Sequence, residues 1–154
     1  MIEMFDCVDE NDCVLGQESR EEVHRKGIYH RAVHIFARSD SGKWILQRRS
    51  AEKDTEPLLW TTTCSGHVDA GESYEDAAIR EFQEEVGVEV NHLELLELLR
   101  LSPCLETGNE FVRVYVNKNI VSPVPNLAEI LELEDFSISE INRLVESDQR
   151  RFCK

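Results

Sequence analysis

The sequence predicts an α/β protein of the α+β kind, an α/β/α sandwich in which a mixed, largely antiparallel sheet lies between helices. Two observations support this prediction. Short β-rich runs are joined by turn-forming residues, as in antiparallel hairpins, and two amphipathic helical patterns separate the later runs. The 154 residues contain no linker or internal repeat. Since an independent core usually occupies roughly 100 to 200 residues, we expect a single domain, 1–154.

The first part of the chain predicts two hairpins and a short helix. "MIEMFDCVD" and "CVLGQESR" alternate around a polar turn, and "SREEVHRKG" is a short helical pattern that ends at Gly27. "YHRAVHIFAR" and "WILQRRS" are β-rich and flank the turn "SDSGK". We expect the second pair of strands at the centre of the sheet.

The second part predicts a long helix, three strands and a closing helix. Gly66 and Gly71 bracket a loop, which leads to a helix from about Ser73 to Val86 that Gly87 ends. The strand patterns are "LELLELLRLSP", "EFVRVYVNKNI" and "EILELEDFS", and "SISEINRLVESDQ" is an amphipathic helix.

Charge and cysteine content exclude several functional classes. Asp and Glu outnumber Lys and Arg by 31 to 17, for a net charge of −14, which would repel a nucleic-acid partner. No apolar run approaches the roughly 18 residues of a membrane span, so a membrane partner is not expected. The five cysteines share no CxxC spacing and the N-terminus has no signal pattern, which predicts a reducing, cytoplasmic location.

Negative charge is concentrated on the long predicted helix. At about 100° per residue, its apolar residues form one stripe suited to the core: Ala78, Ile79, Phe82 and Val86. A second stripe beside it consists of three glutamates: Glu81, Glu84 and Glu85. Asp76, Arg80 and Gln83 form a mixed-sign face that is predicted to be solvated.

The glutamate stripe is unfavourable without a counterion. Like charges three or four residues apart disfavour a helix by roughly 0.2 to 0.5 kcal/mol per pair, and no lysine lies four residues away. Carboxylate oxygens with room for water suit Mg²⁺, with Mn²⁺ as a substitute, and Mg²⁺ commonly binds substrate phosphates as well. The stripe therefore predicts a hard-cation site for phosphoryl chemistry.

The run "GHVDAGESYEDAAIREFQEEVGV" matches a family signature. The Nudix signature is G-x(5)-E-x(7)-R-E-U-x-E-E-x-G-U, where U is a bulky apolar residue, and the match includes all nine specified positions: Gly66, Glu72, Arg80, Glu81, Phe82, Glu84, Glu85, Gly87 and Val88. The chain from about residue 28 to 150 resembles the Nudix core in its order of elements. Residues 1–27 lie outside that core and are expected to cover the substrate pocket or to form a homodimer contact.

The Nudix resemblance implies a Mg²⁺-dependent hydrolase that cleaves a small diphosphate molecule, such as a nucleoside diphosphate linked to another group. The implied metal ligands are Glu81, Glu84 and Glu85. Arg80 would orient these carboxylates, together with Glu72. The general base comes from different places in this family, and three residues are candidates: Glu84, Glu110 and Glu129.

The region before the signature also resembles isopentenyl-diphosphate isomerase, which shares the Nudix fold. The matching frame consists of Arg49, Lys53, Pro57, Trp60, Thr61 and His67, with His30 in "YHRA". In this resemblance Arg49 and Lys53 contact the diphosphate, and Trp60 either stacks on a base or prenyl group or packs in the core. The candidate substrate-binding residues are therefore Arg49, Lys53, Trp60, Gly66, His67 and Glu72.

The isomerase resemblance is interrupted at its cysteine. The isomerase carries this cysteine at the position of Ser65, whereas Cys64 lies one residue earlier. In an extended segment this shift turns the side chain to the opposite face, so Cys64 is expected to pack in the core rather than react.

The isomerase metal site is also predicted to be incomplete. His30, His67 and Glu110 match three of its ligands, but His24 is one residue out of spacing and Gly108 stands in the place of a glutamate. A hydrolase is therefore the main prediction. An isomerase-like enzyme and a non-catalytic Nudix-fold binding module are the alternatives.

Overall fold

The computed structural model describes residues 2–147, 152 and 153. The strands in this part of the chain are β1 (Met4–Val8), β2 (Val14–Ser19), β3 (His30–Arg38), β4 (Trp44–Arg49), β5 (Trp60–Thr61), β6 (Cys64–His67), β7 (Leu95–Leu101), β8 (Glu110–Ile120) and β9 (Ile130–Phe136). The helices are α1 (Arg20–Lys26), α2 (Tyr74–Val86) and α3 (Ile138–Ser147). The end of the predicted closing helix, residues 148 and 149, lies outside the described residues.

A mixed seven-stranded sheet forms the body of the protein. Its strand order is β5-β4-β3-β8-β7, with β6 paired to β3 and β9 paired to β4. β3 and β8 are parallel, and the other pairs are antiparallel. This arrangement confirms the predicted mixed, largely antiparallel sheet. The parallel pair requires a long crossover, which here contains α2.

Helix α2 packs on one face of the sheet and carries the glutamate stripe. The Ser73 side chain accepts the Asp76 N–H at 3.1 Å, and Gly87 ends the helix at a φ of 66°. The buried face of α2 joins the main core through Ala77, Ala78, Phe82 and Val86. The caps define where α2 begins and ends, and its buried face defines its rotation, from which the direction of each glutamate follows.

The opposite face of the sheet is the floor of a cavity of about 1040 Å³. Alternate residues of β3 and β8 form a small apolar cluster there: Ala32, Phe36, Val112 and Val114. Ile141 of α3 and Phe152 line the same cavity. Since α3 buries none of its described residues, this side of the sheet remains open.

The N-terminal segment packs against the loop that leads to α2. β1 and β2 form the predicted hairpin, and α1 is capped by Ser19 and ends at Gly27 as predicted. Met4 accepts the Ala70 N–H at 2.8 Å, and Phe5 is completely buried. The segment therefore forms part of the wall around the candidate site. None of the helices in the described part of the chain has the length and apolar character to cross a membrane.

Candidate active site

Arg80 connects the loop before α2 with the carboxylates on the helix. Its guanidinium donates to Glu72 at 3.0 and 2.9 Å, to Glu81 at 2.7 Å and to Glu84 at 3.4 Å. It also donates to the main-chain oxygen of His67 at 3.0 Å. The hydrogen bonds to Glu72, followed by the charge of Glu81, hold the pKa of Arg80 far above its usual value.

The prediction that Arg80 lies on a solvated face with Asp76 and Gln83 is wrong. Its side chain is only 27% exposed, because the long aliphatic stem carries the guanidinium back over the helix towards several acceptors. The bonds from Arg80 to Glu72 and Glu81 are those that the family resemblance implies.

Glu81 occupies a recess that depends on Gly66. The Glu81 side chain is 15% exposed, and burial raises its pKa to about 7 against the opposing effect of Arg80. A Cβ atom at residue 66 would overlap the Glu81 carboxyl group. Gly66 therefore provides space for a carboxylate, whereas Gly71, at a φ of 79°, provides the conformation of the loop.

Glu85 is the most deeply buried carboxylate of the stripe, with 3% exposure. Its Oε2 accepts from the Gln47 side chain at 2.9 Å and from the Ser65 N–H at 3.3 Å. Burial raises the pKa of Glu85. A buried carboxylate whose hydrogen-bond donors are neutral is costly without a nearby cation, so this donor set fits a divalent ion. The sequence pattern did not predict the contact with Gln47.

Glu84 and Glu129, two candidate bases, line the same cavity as Glu81 and Glu85. Glu84 is 61% exposed and lies 3.4 Å from Arg80. Lys53 forms an ion pair with Glu129, so a predicted phosphate contact and a predicted base neutralise each other.

Arg49 and Trp60 lie on the same cavity wall. Arg49 donates to the main-chain oxygen of Thr55 at 3.2 and 3.0 Å. Trp60 is half-buried and packs edge-to-face on Phe136, with the ring centroids 5.3 Å apart. The contact with Phe136 fits the packing role, which is one of the two roles that the sequence left open for Trp60.

A second group of metal-ligating side chains lies next to the carboxylate stripe. It consists of His24, His30, His67 and Glu110, and one ligand atom from each lies within 4.8 Å of the others. We call this group the histidine cluster. Burial acts to raise the pKa of Glu110, but the adjacent rings of His30 and His67 hold it at about 2. Glu110, the third candidate base, is therefore bound within the cluster.

The geometry of His30 indicates a place for a proton or a metal ion in the histidine cluster. Its Nδ1 lies 2.9 Å from the Ile28 carbonyl, which can only accept a hydrogen bond, so the neutral ring carries its proton on Nδ1. Its Nε2 is then a lone-pair atom, buried without a hydrogen bond and 3.4 Å from the Glu110 carboxylate. Two acceptors at this distance require a proton or a metal ion between them.

The structure corrects the prediction for His24. Sequence spacing separated His24 from the isomerase ligands, but its ring centroid lies 5.1 Å from those of both His30 and His67. His24 stands in the last turn of α1, outside the sheet, so the position of the whole helix determines where the ring lies. The spacing between His24 and the strand residues in the sequence therefore does not predict where the His24 ring lies.

The side chains of strand β6 alternate between the two faces of the sheet. Its pairing with β3 places Ser65 opposite His34, and Cys64 opposite Ile35. Ser65 lines the cavity, whereas Cys64 is completely buried in the main core, where burial raises the pKa of the thiol well above its usual value. The predicted opposite orientation of Cys64 is confirmed.

We predict that Gly66→Ala will lower the affinity for Mg²⁺ by roughly tenfold or more while the protein stays folded. The added methyl group meets the end of a flexible side chain, so the carboxyl group of Glu81 moves and the backbone does not. Calorimetric Mg²⁺ titration and circular dichroism would measure the two effects. Gly16→Ala is the matched control, because no atom lies within 4 Å of the added group. Equal Mg²⁺ affinity in both variants would contradict the role given to Gly66.

We also predict that the metal-free protein loses stability as the pH rises from about 4.5 to about 7. The pKa of Glu81 is about 7 in the folded state against 4.5 for a fully solvated glutamate, so the folded state binds the extra proton in this range, and stability falls as it is released. The loss from Glu81 alone is at most about 3.5 kcal/mol, and Glu85 adds to it in the same direction. Denaturation with a chelator should show the slope, and Glu81→Gln should reduce it. An unchanged slope in Glu81→Gln would contradict the assignment.

Comparison with known proteins supports a family assignment. The NUDIX domain model matches residues 28–154. An uncharacterized Nudix hydrolase of Nostoc sp. is 36% identical over 132 residues, covering 85% of this chain and 78% of its own. An isopentenyl-diphosphate Delta-isomerase of Paenarthrobacter aurescens is also 36% identical, over 135 residues, covering 84% of this chain and 73% of its own.

The fold is likewise similar to a solved structure. A crystal structure of a Deinococcus radiodurans protein superimposes with a TM-score of 0.81 at 29% identity, covering 94% of this chain and 90% of that one. The carboxylate stripe, the mixed sheet and the matched domain lead to one conclusion. The chain belongs to the Nudix family.

Proposed function

We propose that this Nudix pyrophosphohydrolase uses Mg²⁺ to cleave the diphosphate linkage of a nucleoside diphosphate joined to another group, or of a related small diphosphate. The observation that carries the proposal is the set of three stripe glutamates beside one cavity, two of them held by a single arginine. A binding module without activity is disfavoured, because none of the signature carboxylates is missing.

The donor set of the stripe fits Mg²⁺. Glu81, Glu84 and Glu85 offer only oxygen ligands, and Glu81 and Glu85 have raised pKa values caused by burial, which a bound cation would reverse. When bound, the cation neutralises phosphate oxygens and lowers the pKa of a coordinated water. The Gly66 recess gives the Glu81 carboxyl group the space that this arrangement needs.

The protein's own residues bind and orient the substrate. Arg80 holds Glu81 and Glu84 relative to the loop that carries Glu72. Lys53 and Arg49 line the cavity on the side of β4 and can neutralise phosphate charge. A phosphate that takes Lys53 would free Glu129 from its ion pair.

Release from Lys53 makes Glu129 a suitable general base, since it already lies in the cavity beside the stripe. Glu84 is the other free candidate, because its carboxylate is exposed and only distantly bonded to Arg80. Glu110 is the weaker candidate, since the histidines hold its pKa at about 2.

Isomerase-like activity is the second candidate function. The histidine cluster favours it, because the structure brings His24 to the three ligands that the sequence matched, although Gly108 still stands in the place of a glutamate. The orientation of Cys64 opposes it, because the thiol lies in the core on the far side of β6 and its pKa is raised. We therefore place hydrolysis first.

The central prediction concerns the stripe. With Mg²⁺ and a panel of nucleoside diphosphate conjugates, Glu84→Gln and Glu85→Gln should each lower kcat/KM by more than the roughly 10- to 100-fold typical of residues that support a metal ligand. Phosphate release would be the measurement. Glu89→Gln is the matched control, because Glu89 is exposed just beyond α2. Activity retained in both stripe variants would overturn the metal assignment.

The isomerase candidate predicts a different result. Incubation with isopentenyl diphosphate should give no allylic isomer in the unmodified protein, since the cavity face of β6 carries Ser65 instead of a thiol. Product analysis by NMR would detect the isomer. Turnover that is lost in Cys64→Ala would show that Cys64 reaches the substrate. This result would reject our preference for hydrolysis over isomerisation.

A further inference from the structure

His34 lines the cavity on the face of β3 that carries the apolar floor, and the carboxylate stripe lines the same cavity. It follows Ala32 and precedes Phe36 on the cavity face of β3, and it pairs with Ser65 of β6. The N–H of Ser65 binds Glu85, and directly paired residues have Cβ atoms roughly 5 Å apart. The imidazole is therefore next to the proposed diphosphate site. The regular alternation of β3 after His30 could have identified His34 as a cavity residue.

A hydrogen-bond chain determines which nitrogen of His34 carries the proton. Thr62 Oγ1 donates to the Cys64 carbonyl at 2.9 Å, which uses its only proton. His34 Nδ1 lies 3.1 Å from the same Oγ1, so both contacts are satisfied only when Nδ1–H donates. Burial lowers the pKa of His34 and keeps the ring neutral.

The second nitrogen of His34 is therefore a hydrogen-bond acceptor. Nε2 makes no hydrogen bond to any residue in the described part of the chain, and it is not among the buried side-chain atoms without a partner. Since His34 lines the cavity, its lone pair is open to a ligand there. Phosphate oxygens are acceptors at neutral pH, so a diphosphate has no proton to donate to it.

We propose that His34 is a specificity-determining residue, whose Nε2 accepts a hydrogen bond from a hydroxyl group of the sugar attached directly to the diphosphate. The inference rests on the proposed function, which places the diphosphate at the stripe. The His34 side chain is short, so it contacts the group next to the phosphates and not a more distant base. A hydrocarbon diphosphate would leave this acceptor unpaired and would be disfavoured. The substrate class is therefore a diphosphate whose adjacent sugar is ribose, as in a nucleoside diphosphate.

Binding of non-hydrolysable ligands tests the inference without relying on catalysis. The probes are α,β-methylene adenosine diphosphate, its deoxyribose forms and a methylene diphosphonate with a hydrocarbon chain, titrated by calorimetry with Mg²⁺. The unmodified protein should bind the ribose form roughly tenfold or more tightly than one deoxyribose form and than the hydrocarbon. His34→Leu should remove this preference, and His34→Gln, whose side-chain oxygen can accept, should restore part of it.

The tautomer of His34 is the independent readout. In the unmodified protein, ¹⁵N NMR should show a protonated Nδ1 and a bare Nε2. Thr62→Val should mix the two tautomers and weaken the sugar preference, whereas Thr62→Ser, which keeps the hydroxyl, should preserve both. A protonated Nε2, no binding of the ribose form, no ribose preference, or a preference that persists in His34→Leu would each overturn the inference. Absence of hydrolysis with the preference intact would instead reject the proposed function alone.

Discussion

The bonds from Arg80 to the loop and helix carboxylates are the interaction on which the site depends. One planar guanidinium supplies five donors in a fixed fork, and here it joins Glu72 before α2 to Glu81 within it. The stripe would otherwise be self-repelling, and Glu81 would be buried without a partner. Arg80 offsets only part of that cost, since the pKa of Glu81 stays at about 7. The remaining imbalance is what a divalent cation can relieve.

Neighbouring residues of strand β6 contact two different groups of candidate metal ligands. Gly66, which faces α2, makes room for the carboxylates, while His67 on the cavity face joins the histidine cluster. The two clusters differ in chemistry, because an all-oxygen set suits Mg²⁺ and imidazole suits transition metals. Two groups of candidate metal ligands thus lie on either side of one short strand, and Arg80 donates hydrogen bonds to both Glu81 and the His67 carbonyl.

Local periodicity predicted a large part of this protein. The caps at Ser73 and Gly87 and the helical period were sufficient to place α2 and its glutamates, and the alternation of β6 predicted the burial of Cys64. Tertiary arrangement determined the rest. Arg80 folds back because acceptors from the loop lie close to it, and His24 joins the cluster because α1 packs against the hairpin of β1 and β2. Neither property is encoded in the spacing of neighbouring residues.

The direction of the side chains on β6 separates the two candidate activities. Sequence identity does not separate the two activities, since a curated Nudix hydrolase and a curated isomerase are each 36% identical to this chain. The chain differs from the isomerase in the position of one cysteine along β6, which is shifted by a single residue. In a pleated strand a shift of one position reverses the side chain, which buries Cys64 beside α2 and leaves Ser65 at the cavity. Retention of all three stripe glutamates then favours hydrolysis, because the chain keeps the carboxylates proposed to bind a cation, and β6 presents Ser65 instead of a thiol to the cavity.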